Sequence, residues 1–322
     1  MMKFFVRKFI RYILSIYIII TLNFLIPRMM PGDNPLVYIF GQDIPYDEEL
    51  LRELKAKYGL DKPIHEQYFI YLINLIHGDL GYSFLYMRPV LDVISEKIVW
   101  SLIIIVPSII LGAIIATIIG LVAGWKSGSR LDMGFTTLNI FLYSIPSFWL
   151  AMIIVFIFSF CLGIFPLGGG WSGEAEGLEK YIDILWHATL PILTLTIVNA
   201  SSYYLIVRNS VIEVLREEFI LTAKAKGLDT KKILFRHVLR VASLPLITII
   251  ALDFGFIVSG ALLIEIVFSW DGMGLLIYEA VKFRDYPLLQ GCFLILSICV
   301  LTANFIADIL YGIVDPRVRS ND

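Results

Sequence analysis

"LTAKAKGLDTKKILFRHVLRVASLP", residues 221–245, is a basic, helix-patterned stretch lying between two strongly apolar runs. What it is decides what the runs on either side are. Upstream, Val211, Val214, Leu215 and Phe219 recur at helical spacing, so the preceding run continues into an amphipathic helix. Ala223–Ala225 favours helix, and Gly227 fits a C-terminal cap because glycine accepts the left-handed conformation that ends helices. Asp229 or Thr230 then suits the N-cap of a second short helix. On that helix Lys232, Arg236 and Arg240 are four apart and line one face, while Ile233, Leu234, Val238 and Leu239 supply an apolar one. Pro245 marks entry into the next apolar run.

Those runs make the chain a membrane protein. Of its 322 residues 58% are hydrophobic and 17% charged, and its mean hydropathy is +0.81. Soluble domains are usually about 45–50% apolar and about 25% charged. A span needs about 20 apolar residues, and six runs qualify: 9–29, 98–123, 135–165, 188–207, 243–264 and 288–313. The third is overlong, as a tilted helix or one starting before the membrane would be. The first is too long for a secretory signal and has no small-residue cleavage site, so it reads as a retained helix. Cys161, Cys292 and Cys299 all fall in apolar runs and imply neither a disulfide framework nor a metal site.

Charge sets the orientation. The N-terminus, loop 124–134, segment 208–240 and the C-terminus share one side and hold 16 of the 26 lysines and arginines, against Lys180, Lys282 and Arg284 in the short loops opposite. The positive-inside rule makes both termini and the basic stretch cytoplasmic. Residues 31–97 then lie outside. A helical period in Leu50, Leu51, Leu54 and Tyr58, the stop "GLDKP" and a second helix from Ile64 to Ile76 predict a small helical lid. The division is 1–30 for the N-terminus and first helix, 31–97 for the outer segment, 98–313 for a five-helix core containing 208–240, and 314–322 for the tail.

From residue pattern alone, the basic stretch reads as a surface segment on anionic lipid, a gating element, or a docking helix for a soluble partner. Its wording narrows the choice. "TAKAKGL…FRHVLRVASLP" resembles the EAA loop of ATP-binding-cassette (ABC) importer permeases of the peptide and nickel branch: Ala223, Lys224, Ala225, Lys226, Gly227, Leu228, His237, Leu239, Arg240 and Pro245 match. The first Glu of the generic motif is absent, and the spacing from Gly227 to Pro245 is longer. "RMMPGDNP" (28–35), "KYGLDKPIHEQYFIYL" (57–72), "GDLGYSF" (78–84), "PV" (89–90), "IPSFWLAMIIV" (145–155), "LGIFPLGG" (162–169), "EIVFSWDGMGLLIYEAVKFRDYPLLQG" (265–291) and "DILYGIVDPRVR" (308–319) extend the resemblance over nearly the whole chain. Asp271 stands where that family usually has Pro.

The resemblance implies an all-α polytopic fold with six transmembrane helices, a type I ABC importer transmembrane domain with a small extracytoplasmic helical insertion after the first helix. It implies a permease in the cell membrane that needs a second homologous permease subunit, two ABC ATPase subunits and an extracytoplasmic solute-binding protein. No cofactor, metal or catalytic residue is expected, and no G-x-x-x-x-G-K-[ST] occurs in the chain, so ATP would be hydrolysed by the partners. Ala223, Lys224, Ala225, Lys226, Gly227, Leu228, Lys232, Arg236, His237 and Arg240 would couple to the ATPase, the helix placing apolar knobs in a cleft and basic residues at its rim. Asp253, with Gly255, Ser259 and Gly260 beyond it, would line the translocation path or mediate polar packing between subunits. The cargo would be a di- or oligopeptide; nickel or a metal chelate is the alternative, although His65, His77, His187 and His237 show no ligand spacing. An ion-coupled secondary carrier is the more distant alternative, and it would show more intramembrane charges and an internal repeat.

Overall fold

The computed structural model describes residues 2–29, 61–173, 176–256 and 261–314. Within them the chain forms α1 (Met2–Arg28), α2 (Ile64–Ile76), a hairpin of β1 (Tyr82–Ser83) with β2 (Arg88–Pro89), α3 (Val90–Trp125), α4 (Arg130–Ser144) and α5 (Ser147–Ile154), which runs into π-helical turns over Val155–Cys161. There follow α6 (Leu178–Val214), α7 (Glu218–Ala225), α8 (Thr230–Ala242), α9 (Leu244–Phe256), α10 (Leu262–Val267), α11 (Met273–Lys282) and α12 (Tyr286–Val314). Among the described residues, α3 and α6 are long and apolar enough to cross a membrane alone. Counting each of two bent pairs, α4 with α5 and α8 with α9, as one span raises that to four; Arg11–Ile26 and Tyr286–Thr302 are shorter apolar helices.

The spine is the pair α3–α6. Gly112, Ala116, Gly120 and Gly124 recur every four residues along α3 and therefore share one face. Against that face lie Asn199, Val207 and Val211 of α6. A Cβ added at Gly112 would stand 2.8 Å from the Asn199 Cβ, one at Gly120 2.9 Å from a Val207 methyl, and one at Gly124 2.7 Å from a Val211 methyl. Lipid offers no hydrophobic drive for two apolar helices to associate, so close backbone approach over small residues, with the dispersion it permits, holds such pairs. Apolar clusters continue the spine towards each end. Near the hairpin, Val90, Val93 and Ile94 of α3 pack with Met273, Leu276, Leu288 and Leu289. At the opposite, basic end, Leu121 and Ala123 pack with Val207, Val211, Ile220, Ala223, Ile233 and Val238.

Two buried carboxylates shape the hairpin end. The Glu265 side chain, wholly buried, accepts hydrogen bonds from Ser101 Oγ (2.7 Å) and from the backbone N–H groups of Gly274 (2.7 Å), Leu275 (3.1 Å) and Ala261 (3.2 Å). Asp285 accepts from Ser83 Oγ (2.6 Å) and the Leu85 (2.9 Å) and Leu288 (3.1 Å) N–H groups, tying the hairpin to the start of α12. Asp271 pairs with the ammonium of Lys97, a residue only 7% exposed. An acid at this position, where the resembling family usually has Pro, thus neutralises a lysine the fold has taken out of water.

Several expectations change. The run 135–165 is not one tilted helix: α4 and α5 meet at 97°. Pro146 disfavours the helical region at Ile145, whose ψ of 127° is extended. The span predicted at 188–207 lies within the longer α6. The predicted helix at Ile64–Ile76 forms, but it rests against α1. Tyr68 shares a 2.8 Å hydroxyl contact with Thr21, the Tyr68 and Tyr71 rings lie 5.1 and 5.6 Å from Phe24, and Arg28 Nε donates to Gln67 (3.1 Å). The helical period predicted at Leu50–Tyr58 and the tail after residue 314 lie outside the described residues.

Gly124→Leu should force α3 and α6 apart at a cost of about 1–3 kcal/mol, the usual range for overpacking, and lower the thermal midpoint of the detergent-solubilised protein. Gly134→Ala, at a helical position with nothing within 4 Å of the added carbon, should be neutral or raise it by the amount that glycine weakens a helix interior. Equal losses in both variants would remove the close approach as the cause.

Candidate functional site: the segment at the basic end

The basic stretch folds as its residues require. α6 ends at Val214, and α7 buries Ile220 and Ala223 in the cluster that also holds Val207 and Val211. Gly227 has φ +71°, its N–H donates to the Lys224 carbonyl (2.9 Å), and the Leu228 N–H donates to the Ala223 carbonyl (3.3 Å). That pair of bonds is the Schellman termination, with glycine in the left-handed position. Asp229 then adopts the extended backbone of an N-cap, although its side chain makes no capping bond. Helix α8 widens into π-helical turns over Ile233–Val238.

This geometry turns the segment's faces over relative to the expectation. Ile233 and Val238 are buried against α6 and α3, and Leu234 is partly so. These residues, predicted as the apolar face of the short helix, hold α8 to its own bundle. The apolar side chains left bare include Leu221 (59% exposed), Phe235 (64%), Phe219 and Leu228, with Val241 and Leu244 further along. Lys224, Ala225, Lys226, Gly227, Lys232, Arg236 and Arg240 are exposed around them, while Ala223 is buried and His237 half-buried. The wider π turns take residues spaced by four out of the register an α-helix gives them, so Lys232, Arg236 and Arg240 share a surface but not a straight row. Phe235 sits between basic residues in the sequence, and an exposed aromatic there was the available signal for the bare face.

Two contacts join the segment's support to the preceding loop. The Lys224 ammonium lies 5.7 Å from the Trp125 ring centroid. Arg208, near the end of α6, donates from Nε (2.5 Å) and Nη2 (2.7 Å) to Asp132, which also accepts from the Gly128 N–H (2.9 Å). Asp132 lies in the first turn of α4, ahead of the predicted span 135–165. The Arg208 hydrogen bonds hold its carboxyl at about 2, well below the usual carboxylate value of about 3.9.

Of the path residues, Asp253 lies half-buried in α9 and accepts a short hydrogen bond from the Tyr203 hydroxyl of α6. Gly255 falls in the last turn of α9; Ser259 and Gly260 lie outside the described residues. Tyr203, buried in the same cluster as α7 and α8, is the partner that sequence spacing had not paired with Asp253.

The described residues thus form a spine of two long apolar helices with a basic helical segment braced across one end. Residues 116–320 match the family described as binding-protein-dependent transport system inner membrane component, and residues 1–104 match its N-terminal family. The chain is 36% identical to the oligopeptide transport system permease protein OppB of Haemophilus influenzae, with 99% of this chain and 100% of that one covered. It is 31% identical to the di/tripeptide transport system permease protein DppB of Pseudomonas aeruginosa and 32% identical to the glutathione transport system permease protein GsiC of Escherichia coli K12, each over 99% of both chains. The chain belongs to the family of binding-protein-dependent transport system inner membrane components: it is an ABC permease, not the ATPase.

Asp132→Asn should leave the Arg208 guanidinium largely buried without its counter-charge and cost about 1–3 kcal/mol. The native pair has a matching acid dependence. A carboxyl held below its unfolded value contributes stability above about pH 4 and loses it as pH falls towards 2. Unfolding midpoints of native and Asp132→Asn protein should therefore converge as pH falls through that window; a constant gap would show that the pair contributes no charge-dependent stability.

Proposed function

We propose that this permease forms half of the translocation pore of an ATP-driven importer of di- or oligopeptides delivered by a solute-binding protein. The names of the relatives, which concern oligopeptides, di/tripeptides and glutathione, support a peptide cargo over nickel or a metal chelate. In this reading the chain has six spans with both termini cytoplasmic, residues 31–97 lie outside, and the basic end faces two ATPase subunits. A second permease subunit completes the pore, and Asp253 with its neighbours lines it.

One observation carries the coupling role. Ile220, Ala223, Ile233 and Val238 share one apolar cluster with Val207, Val211 and Leu121 of the spine. The same segment turns Leu221, Leu228 and Phe235 outward among six exposed lysines and arginines. A surface suited to a cleft is thereby welded to the helices that must move. An ATPase pair that closes on ATP would shift this surface and, through the shared cluster, bias the bundle between two arrangements. A lipid-binding role would need the charges but not the rigid placement.

The variants separate these readings. A β-branched residue in the left-handed conformation costs about 1 kcal/mol or more, so Gly227→Val should misplace α8 while the spans stay inserted. Expected are normal membrane abundance, weaker retention of the ATPase and lost peptide uptake, with milder defects for Lys224→Ala and Lys232→Ala because exposed charge pairs contribute only about 0–1 kcal/mol. Lipid contact predicts the reverse order.

Topology and assembly form a second test. Cysteines placed at Lys57 and Lys231 should label from opposite sides. Purification with the products of neighbouring genes should recover a second permease and the ATPases, and uptake should follow ATP rather than an ion gradient. Uptake by this chain alone on an ion gradient would overturn the proposal.

A further inference from the structure

Towards the hairpin end, residues 96–103 of α3 and 180–185 of α6 border an open groove of about 560 Å³ lined by Glu96, Val99, Trp100, Ile103, Lys180, Tyr181, Ile184 and Leu185. Its chemistry is graded along the two helices. Both helices run from this end into the bundle, and on both the charged residue comes first: Glu96 is seven residues before Ile103, and Lys180 five before Leu185. At 1.5 Å per residue the charges stand about 7.5 and 10.5 Å along the helix axes from Leu185 and Ile103. The Lys180 ammonium lies 4.3 Å from the Trp171 ring centroid, and Glu96 is already paired with Arg88 (3.0 Å). Among the described residues, Lys180 at the mouth has no carboxylate partner, and it is set among tryptophan and tyrosine rings of the kind that gather at a membrane–water boundary.

We infer that this groove is a phospholipid site, with the phosphate on Lys180 at the mouth and an acyl chain laid along Ile103, Ile184 and Leu185. A helix of a second permease fits the groove less well. Transmembrane helices dock over small residues, and those of α3 are spent on α6, whereas the groove is walled by Trp, Ile, Leu and Tyr. A charged rim above an apolar slot is the profile of an amphiphile standing in one leaflet. The bound lipid would cover the seam between α3 and α6 at this end.

The assembled transporter, reconstituted in palmitoyl-oleoyl-phosphatidylethanolamine vesicles, extracted in mild detergent and washed, can be weighed intact by native mass spectrometry. The unaltered complex should retain phospholipid. An exposed ammonium–phosphate pair contributes up to about 1 kcal/mol, and Lys180→Glu both removes it and sets an anion against the phosphate, so retention should fall roughly fivefold or more. Leu185→Trp, at an exposed position that leaves the core intact, should reduce it by filling the slot. Glycerophosphoethanolamine and inorganic phosphate, which have the headgroup chemistry without chains, should not displace the lipid. Equal retention in all three proteins would overturn the proposal. So would displacement by the chain-free compounds, or a Leu185→Cys variant that cross-links to the second permease across the groove.

Discussion

The close approach of α3 and α6 is the contact on which the other elements depend. Three glycines and an alanine, one turn apart, let the α6 side chains seat directly on the α3 backbone. All three apolar clusters draw on this pair: one gathers α11 and α12 around the first turns of α3, one holds α5 and α10 against both helices, and one carries α7 and α8. In hydrocarbon there is no solvent to squeeze helices together, so the fit of this seam has to supply what water supplies in a soluble core. A permease must also change shape, and an arrangement with one rigid seam and peripheral helices attached to it can do so without losing its centre.

The two ends of the spine are stiffened by different means. At the hairpin end, buried carboxylates gather backbone N–H groups from turns that have no regular partner, converting irregular chain into fixed geometry at the expense of burying charge. At the basic end, the cluster is apolar and the polar bracing lies outside it, in Asp132 with Arg208 and in Lys224 over Trp125. Both ends have an apolar cluster, and the hairpin end adds directed hydrogen bonds from two buried carboxylates.

Much of this was legible in the residue order. Helices fell on the apolar runs because hydropathy is a local property, and α2 was found over the same residues, Ile64–Ile76. Their extents did not always follow: α6 outruns 188–207 at both ends, and 243–264 holds α9, which ends at Phe256, and the start of α10. The cap at Gly227 was legible for the same reason: a glycine followed by Asp229 and Thr230 is local chemistry. The elbow at Ile145–Pro146 was marked by its proline, but uninterrupted hydrophobicity made the run look like one span. The π turns of α8 carry no composition signal, because they arise from how the helix seats on α6. The identity of the bare side chains depended on that floor as well. Periodicity shows that Ile233 and Phe235 lie on different faces; only the fold shows which of the two meets the bundle.

The elbow has a mechanical consequence. α4 is anchored at its start by Asp132 to Arg208, and at 97° from it α5 packs with α6 and α10. Fifteen residues of α-helix make an arm about 22 Å long. A displacement at the anchored end is therefore delivered to α5 not as a push along its axis but as a torque across it. A swing of about 5° carries the far tip roughly 2 Å, comparable to the helix shifts by which interfaces switch between packings. A straight helix of the same composition would transmit the stroke; the bent one changes its direction.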